Sequence, residues 1–127
     1  MATSRRTPKR AEPSARYAEV FSALGTECRL KILRLLLSAH PDGMVVGDIQ
    51  AAIGIPPSTL SHHLERLKAE GLVTVRREST FLRCFANTAV LEELLKFLVA
   101  ECCTRSQAVE ARAVIRLCRP RPRGRRP

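Results

Sequence analysis

Between residues 14 and 103 apolar positions recur mostly at helical spacing, with one interval of alternation. From Ser14 to Leu24 the residues Tyr17, Val20, Phe21 and Leu24 fall three or four positions apart, and Gly25 closes the segment. Thr26 is placed to cap a second helix running to about Ala39. Leu30, Leu33, Leu36 and Leu37 line one side of it, and Ile32 and Leu35 widen that side to most of the girth, as in a buried central helix. His40, Pro41, Asp42 and Gly43 end it. A short helix from Val46 to Ile53, the turn Gly54-Ile55-Pro56 and a helix from Pro57 to Glu70 follow, the last opened by proline and stopped by Gly71. LVTVRR and TFLRCFA then read as the two strands of a hairpin, broken at Glu78 and Ser79 without the glycine such turns favour. Thr88 to about Cys103 returns to helical spacing, with Leu91, Leu94, Leu95, Leu98, Val99 and Cys102 in one stripe.

Two helices joined by a three-residue turn containing glycine, with a hairpin directly after them, are the order of a winged helix-turn-helix. The expected fold is therefore mainly α with a β-hairpin wing. At about 100° per residue, Leu60, Leu64, Leu67 and His63 share one side of the Pro57–Glu70 helix. Ser58, His62, Glu65 and Arg66, flanked by Thr59 and Ser61, share the other. Short hydrogen-bonding groups gathered in the N-terminal half are what a helix needs to reach base edges in the major groove. A solvated surface helix has a similar face; the tight turn before it and the hairpin after it favour DNA reading. Arg76 and Arg77, near the wing tip, are natural phosphate contacts, or else solvated charges on a turn. His62 and His63 are adjacent, a poor chelating geometry, so His62 is assigned to the DNA face and His63 to packing.

Charge changes this picture less than its size suggests. The net charge is +10, but residues 1–16 and 119–127 carry nearly all of it, leaving the middle of the chain close to neutral. The expected organisation is a basic disordered tail over residues 1–16, a folded domain over 17–104 and a basic extension over 105–127. Such tails strengthen a DNA complex through counterion release without marking a DNA-binding domain. A hydrophobic fraction of 45% with only 4% aromatics implies an aliphatic core, which suits packed helices. The polar, basic start and the lack of a long apolar run point to a cytoplasmic protein with no membrane partner. Its five cysteines are then expected to be reduced thiols rather than a disulfide framework.

The segments FSALGTECRLKILRLLL and VGDIQAAIGIPPSTLSHHLERLKAEGLVTVRRE resemble the ArsR/SmtB family of winged-helix repressors, over roughly residues 17–100. STLSHHLERLKAEGLV is the most specific part of the match. The resemblance implies a homodimer built by the first and last helices of each subunit. It also implies repression by binding operator DNA, with release when an effector binds. Dimerisation agrees with the residues themselves, since Tyr17–Leu24 and Leu91–Val99 offer more apolar surface than one small core uses.

Effector sites differ within the family. The Cys-x-Cys site of arsenical repressors at the start of the helix-turn-helix is missing, since that stretch reads MVVGDIQ. The zinc site of the last helix needs Asp, His and Glu ligands, and the last helix here has no histidine. What remains is Cys102-Cys103, resembling arsenic-responsive members with vicinal cysteines near a C-terminal helix end. Thiolates select soft centres, and trivalent arsenic takes up to three sulfurs. Two thiols suit methylarsenite; a third from Cys84 or Cys118 would extend the site to arsenite. The plainer readings are packing for Cys102, which continues the leucine stripe, and for Cys84, whose strand register is open. Cys28 and Cys118 are treated as incidental. A redox- or sulfide-responsive repressor would use the same thiols through oxidation instead. An enzyme is not expected: a Cys/His nucleophile needs a base in a pocket, and the adjacent histidines lie on the DNA helix.

Overall fold

The computed structural model describes residues 13–101. Helix α1 spans Pro13–Ala23 and α2 Glu27–Ser38; strand β1, Met44–Val45, leads into α3, Val46–Ile53, and α4, Pro57–Ala69. Strands β2, Val73–Glu78, and β3, Phe81–Ala86, precede α5, Thr88–Glu101. The fold is the expected winged helix-turn-helix, with one addition: β1 joins the hairpin to make a three-stranded antiparallel sheet of order β1-β3-β2. The chain divides into two compact units after Leu91. The first unit holds α1 to α4, the sheet and the first residues of α5. In the second, the rest of α5 carries a buried Leu94 and a half-exposed Leu98.

Local chemistry explains the boundaries. Thr26 caps α2, its Oγ1 accepting from the Arg29 backbone N–H at 3.2 Å. Proline opens α4 at its first helical position, where no backbone donor is needed. A Schellman motif closes α4: Gly71 N–H donates to Lys68 O at 2.9 Å, and Leu72 N–H to Leu67 O at 3.0 Å. Gly43 turns the chain into β1 with φ at 74°. A Cβ there would stand 2.5 Å from Cys84 O and 2.7 Å from the Phe85 ring, so only glycine lets β1 lie against β3.

The core is aliphatic, as composition requires. Val20, Ile32, Leu36, Ile49, Leu60, Leu67, Leu72, Val73 and Cys84 are the largest of its fully buried side chains among the described residues. One expectation for α2 is corrected: Ile32, Leu33 and Leu36 are buried, while Leu30 is 46% exposed and Leu35 and Leu37 are half-buried. Helix α2 packs against α3, α4 and β3, and Leu30 lies outside the core these contacts form.

Candidate nucleic-acid interface

The turn between α3 and α4 is held at both ends. Gly54 takes φ 79°, and its N–H donates to Gln50 O at 2.7 Å. A Cβ on Gly54 would meet nothing within 4 Å, so glycine serves the backbone conformation alone. The Gln50 side chain then donates through Nε2 to Ile55 O at 3.1 Å, fixing the turn. Leu60, Leu64 and Leu67 anchor α4 in the core.

With that side fixed, Ser58, Thr59, Ser61, His62 and Glu65 are exposed. Ser58, Thr59 and Ser61 have no side-chain hydrogen bond among the described residues. These short donors and acceptors occupy the N-terminal half of α4, free to meet an external partner. The His62 ring sits 6.2 Å from that of His63.

His63 turns inward. Its Nδ1 lies 3.1 Å from Nη1 of Arg29 on α2. A guanidinium can only donate, so Nδ1 accepts and the imidazole is neutral. Burial is the main force lowering the His63 pKa, with the positive charge of Arg29 next and His62 after it. The Arg29 Nε also donates to Ala23 O at the end of α1. Arg29 thus ties α1, α2 and α4 together, a role invisible in the pattern of apolar positions because it depends on a long side chain reaching across the fold.

Arg66 departs from this exposed row. It is half-buried and turned aside: Nη1 donates to Glu70 Oε2 at 3.1 Å and Nη2 to Ser22 Oγ of α1 at 3.1 Å, with Glu19 Oε1 3.9 Å away. The helical position is as read, but near the edge of the exposed face a flexible arginine follows its nearest carboxylate.

Arg76 and Arg77 also separate. Alternation along β2 places them on opposite faces of the wing. Arg76 pairs with Glu78 at 2.8 Å and lies over the Phe85 ring, 4.7 Å from its centroid. Glu78 also accepts from Arg83 at 2.9 Å, and these two hydrogen bonds, Arg83 first, hold its carboxyl below the usual range. Arg77 is exposed, stands opposite Leu82 in the register and has no ion pair among the described residues. At the tip, Ser79 occupies the left-handed region with φ 59° and Phe81 is 59% exposed.

Cys84 pairs across the sheet with Val75 and Met44 and is fully buried. Burial pushes its thiol pKa up, against a smaller opposing pull from Lys68. A thiol in that setting resists becoming the thiolate that soft centres need, and packing accounts for it. Among the described residues no cluster of three or more His, Cys, Asp or Glu side chains is placed to hold a metal ion. Cys102, Cys103 and Cys118, and the basic segments at 1–12 and 105–127, lie outside the described residues.

Comparison with known proteins agrees with this architecture. Residues 24–76 match the family described as "Helix-turn-helix domain". A Halobacterium salinarum protein assigned as the repressor of an arsenical resistance operon is 39% identical over 80 residues, covering 63% of this chain and 66% of its own. An uncharacterized HTH-type transcriptional regulator of Methanocaldococcus jannaschii is 36% identical, covering 68% of this chain and 96% of its own. Among solved structures, a homodimeric winged helix-turn-helix DNA-binding domain from Mycobacterium bovis superposes with a TM-score of 0.58 at 31% identity, covering 79% of this chain and 92% of that one. The chain belongs to the ArsR/SmtB family of winged helix-turn-helix regulators. Family and fold are those of DNA-binding transcriptional regulators, which are not enzymes. No helix among the described residues is long and apolar enough to cross a membrane.

Proposed function

We propose that this protein is a transcriptional repressor that binds double-stranded operator DNA as a homodimer and releases it on taking up a trivalent arsenical. The observation that carries the DNA half is the row of exposed polar side chains on the N-terminal half of α4: Ser58, Thr59, Ser61 and His62. In this reading they address base edges in the major groove, while Arg76 and Arg77 on the wing approach the phosphates. Dimerisation through the first and last helices is supported by the apolar side chain of Phe21 on α1, 42% exposed, and by the homodimeric relative from Mycobacterium bovis.

The effector half rests on the vicinal thiols Cys102 and Cys103 and on the likeness to the Halobacterium salinarum repressor. Methylarsenite fits a two-thiol site, and arsenite one with a third sulfur; buried Cys84 is poorly suited to supply it. Arsenic bound near the end of the last helix would bias the dimer and with it the spacing of the two reading helices. A coupling of about 1–3 kcal/mol lowers DNA affinity roughly five- to 150-fold. The test is fluorescence anisotropy on the duplex that the full chain selects from a randomised pool, titrated with arsenite, methylarsenite and hydrogen peroxide. Release by an arsenical, lost in the double variant Cys102→Ser/Cys103→Ser, is the expected result. A complex that arsenicals never release contradicts the effector assignment, and release by peroxide alone replaces it with thiol oxidation.

A further inference from the structure

The recognition helix has a second attachment besides its buried leucines. Arg66 leaves α4 at the edge of its exposed face and bridges two elements. One guanidinium nitrogen donates to Glu70, the C-cap of the same helix, and the other to Ser22 of α1, with Glu19 of α1 beside it. The Arg66 side chain is 31% exposed and that of Glu70 19%. The planar fork of an arginine can hold two partners in fixed directions, which the point charge of a lysine cannot do. Here the fork is aimed at the α1 side of the helix.

We propose that Arg66 is a positioning residue that sets the orientation of α4 against α1, and not a phosphate ligand. The proposal rests on the reading of α4 as the helix that addresses DNA. Two features favour it over a phosphate contact. Glu70 and Glu19 flank the guanidinium, so a phosphate brought to Arg66 would also approach two carboxylates. Moving Arg66 to a phosphate would also strip Glu70, mostly covered, of its ion-pair partner. Ion pairs with this much exposure contribute little to stability, so the consequence falls on geometry rather than on unfolding. Helix α1 also carries Phe21, exposed and available to a second copy of the chain. Arg66 therefore links the helix proposed to join the dimer to the helix proposed to read the operator.

The test uses the full chain, the duplex it selects from a randomised pool and a scrambled duplex. Affinities are measured between about 50 and 200 mM salt for Arg66→Gln, Arg66→Lys, Ser22→Ala and the double variant Ser22→Ala/Arg66→Gln. Binding to the selected duplex should fall about three- to tenfold in both Arg66 variants, with binding to the scrambled duplex and the salt slope unchanged. Ser22→Ala should reproduce part of that loss, and the double variant should lose no more than Arg66→Gln alone. Rescue by lysine, or a salt slope reduced by about one, would mark a phosphate contact and overturn the proposal. Amide hydrogen exchange of α1 in the free protein gives a readout independent of DNA. Both Arg66 variants should speed exchange around Ser22; unchanged exchange overturns the proposal even if no duplex is selected. Failure of the wild type to select any sequence is a separate result, and defeats the reading of α4.

Discussion

Helix α4 and the wing both carry polar groups toward solvent, yet they hold them in opposite ways. On α4, Ser58, Thr59 and Ser61 make no side-chain hydrogen bond among the described residues, and the leucines beneath them are buried. On the wing, Arg76 and Arg83 share Glu78, and Arg76 also lies over Phe85. A DNA contact costs the α4 face only its water, whereas Arg76 must give up a partner before it meets a phosphate. Arg77, on the other face of β2, has no ion pair to surrender among the described residues. Under the proposed function the contrast divides the labour: sequence reading falls to α4, and Arg77 is the better placed of the wing arginines for charge.

The comparison can be broken most forcefully at the base of the wing. Gly43→Ala forces a Cβ onto Cys84 O and the Phe85 ring at a left-handed backbone position. A loss of about 3 kcal/mol is expected in urea unfolding from overpacking and backbone strain together. An alanine tolerated at under about 1 kcal/mol would mean that β1 is not held against β3 as described.

Acid should act on α4 next. The folded state lowers the His63 pKa, so the neutral ring is favoured on folding. The stability this contributes is complete above the unfolded value of about 6.5 and is lost as pH falls below it. The urea midpoint should therefore drop between about pH 7 and pH 5, and His63→Gln should flatten that part of the profile. A drop of the same size in the variant would place the titrating group elsewhere.

The smallest effect concerns the turn of the wing. Ser79→Gly relieves a left-handed serine, offset by the greater freedom glycine brings to the unfolded chain. A gain of up to about 1 kcal/mol is expected. A loss would show that the serine side chain contributes something the backbone angle does not reveal.

These differences also explain what could be read from the chain alone. Local signals mark α4 well: Gly54, Pro57 and Gly71 stand where a turn, a helix start and a helix stop need them. Leucine spacing identified its buried side because that side is set by period alone. Strand β1 has two residues, too few for any alternation to show, and its clearest trace is Gly43. The separation of Arg76 from Arg77 was available from strand alternation once β2 was recognised. The partners of Arg66 and the Arg29–His63 contact were not, because each joins residues distant in sequence through long side chains. Leu30 shows the limit of helical pattern itself: it tells which residues are apolar, not which of them the neighbouring elements cover.

The most direct test of the central claim sets His62→Ala beside Arg77→Ala, both measured on the selected and the scrambled duplex across a salt series. His62→Ala should cost about 1–3 kcal/mol on the selected duplex alone, leaving the salt slope intact. Arg77→Ala should weaken both duplexes alike and reduce the slope by about one. If His62→Ala instead weakens both duplexes equally, or leaves both untouched while the fold persists, the polar face of α4 is not what reads the DNA.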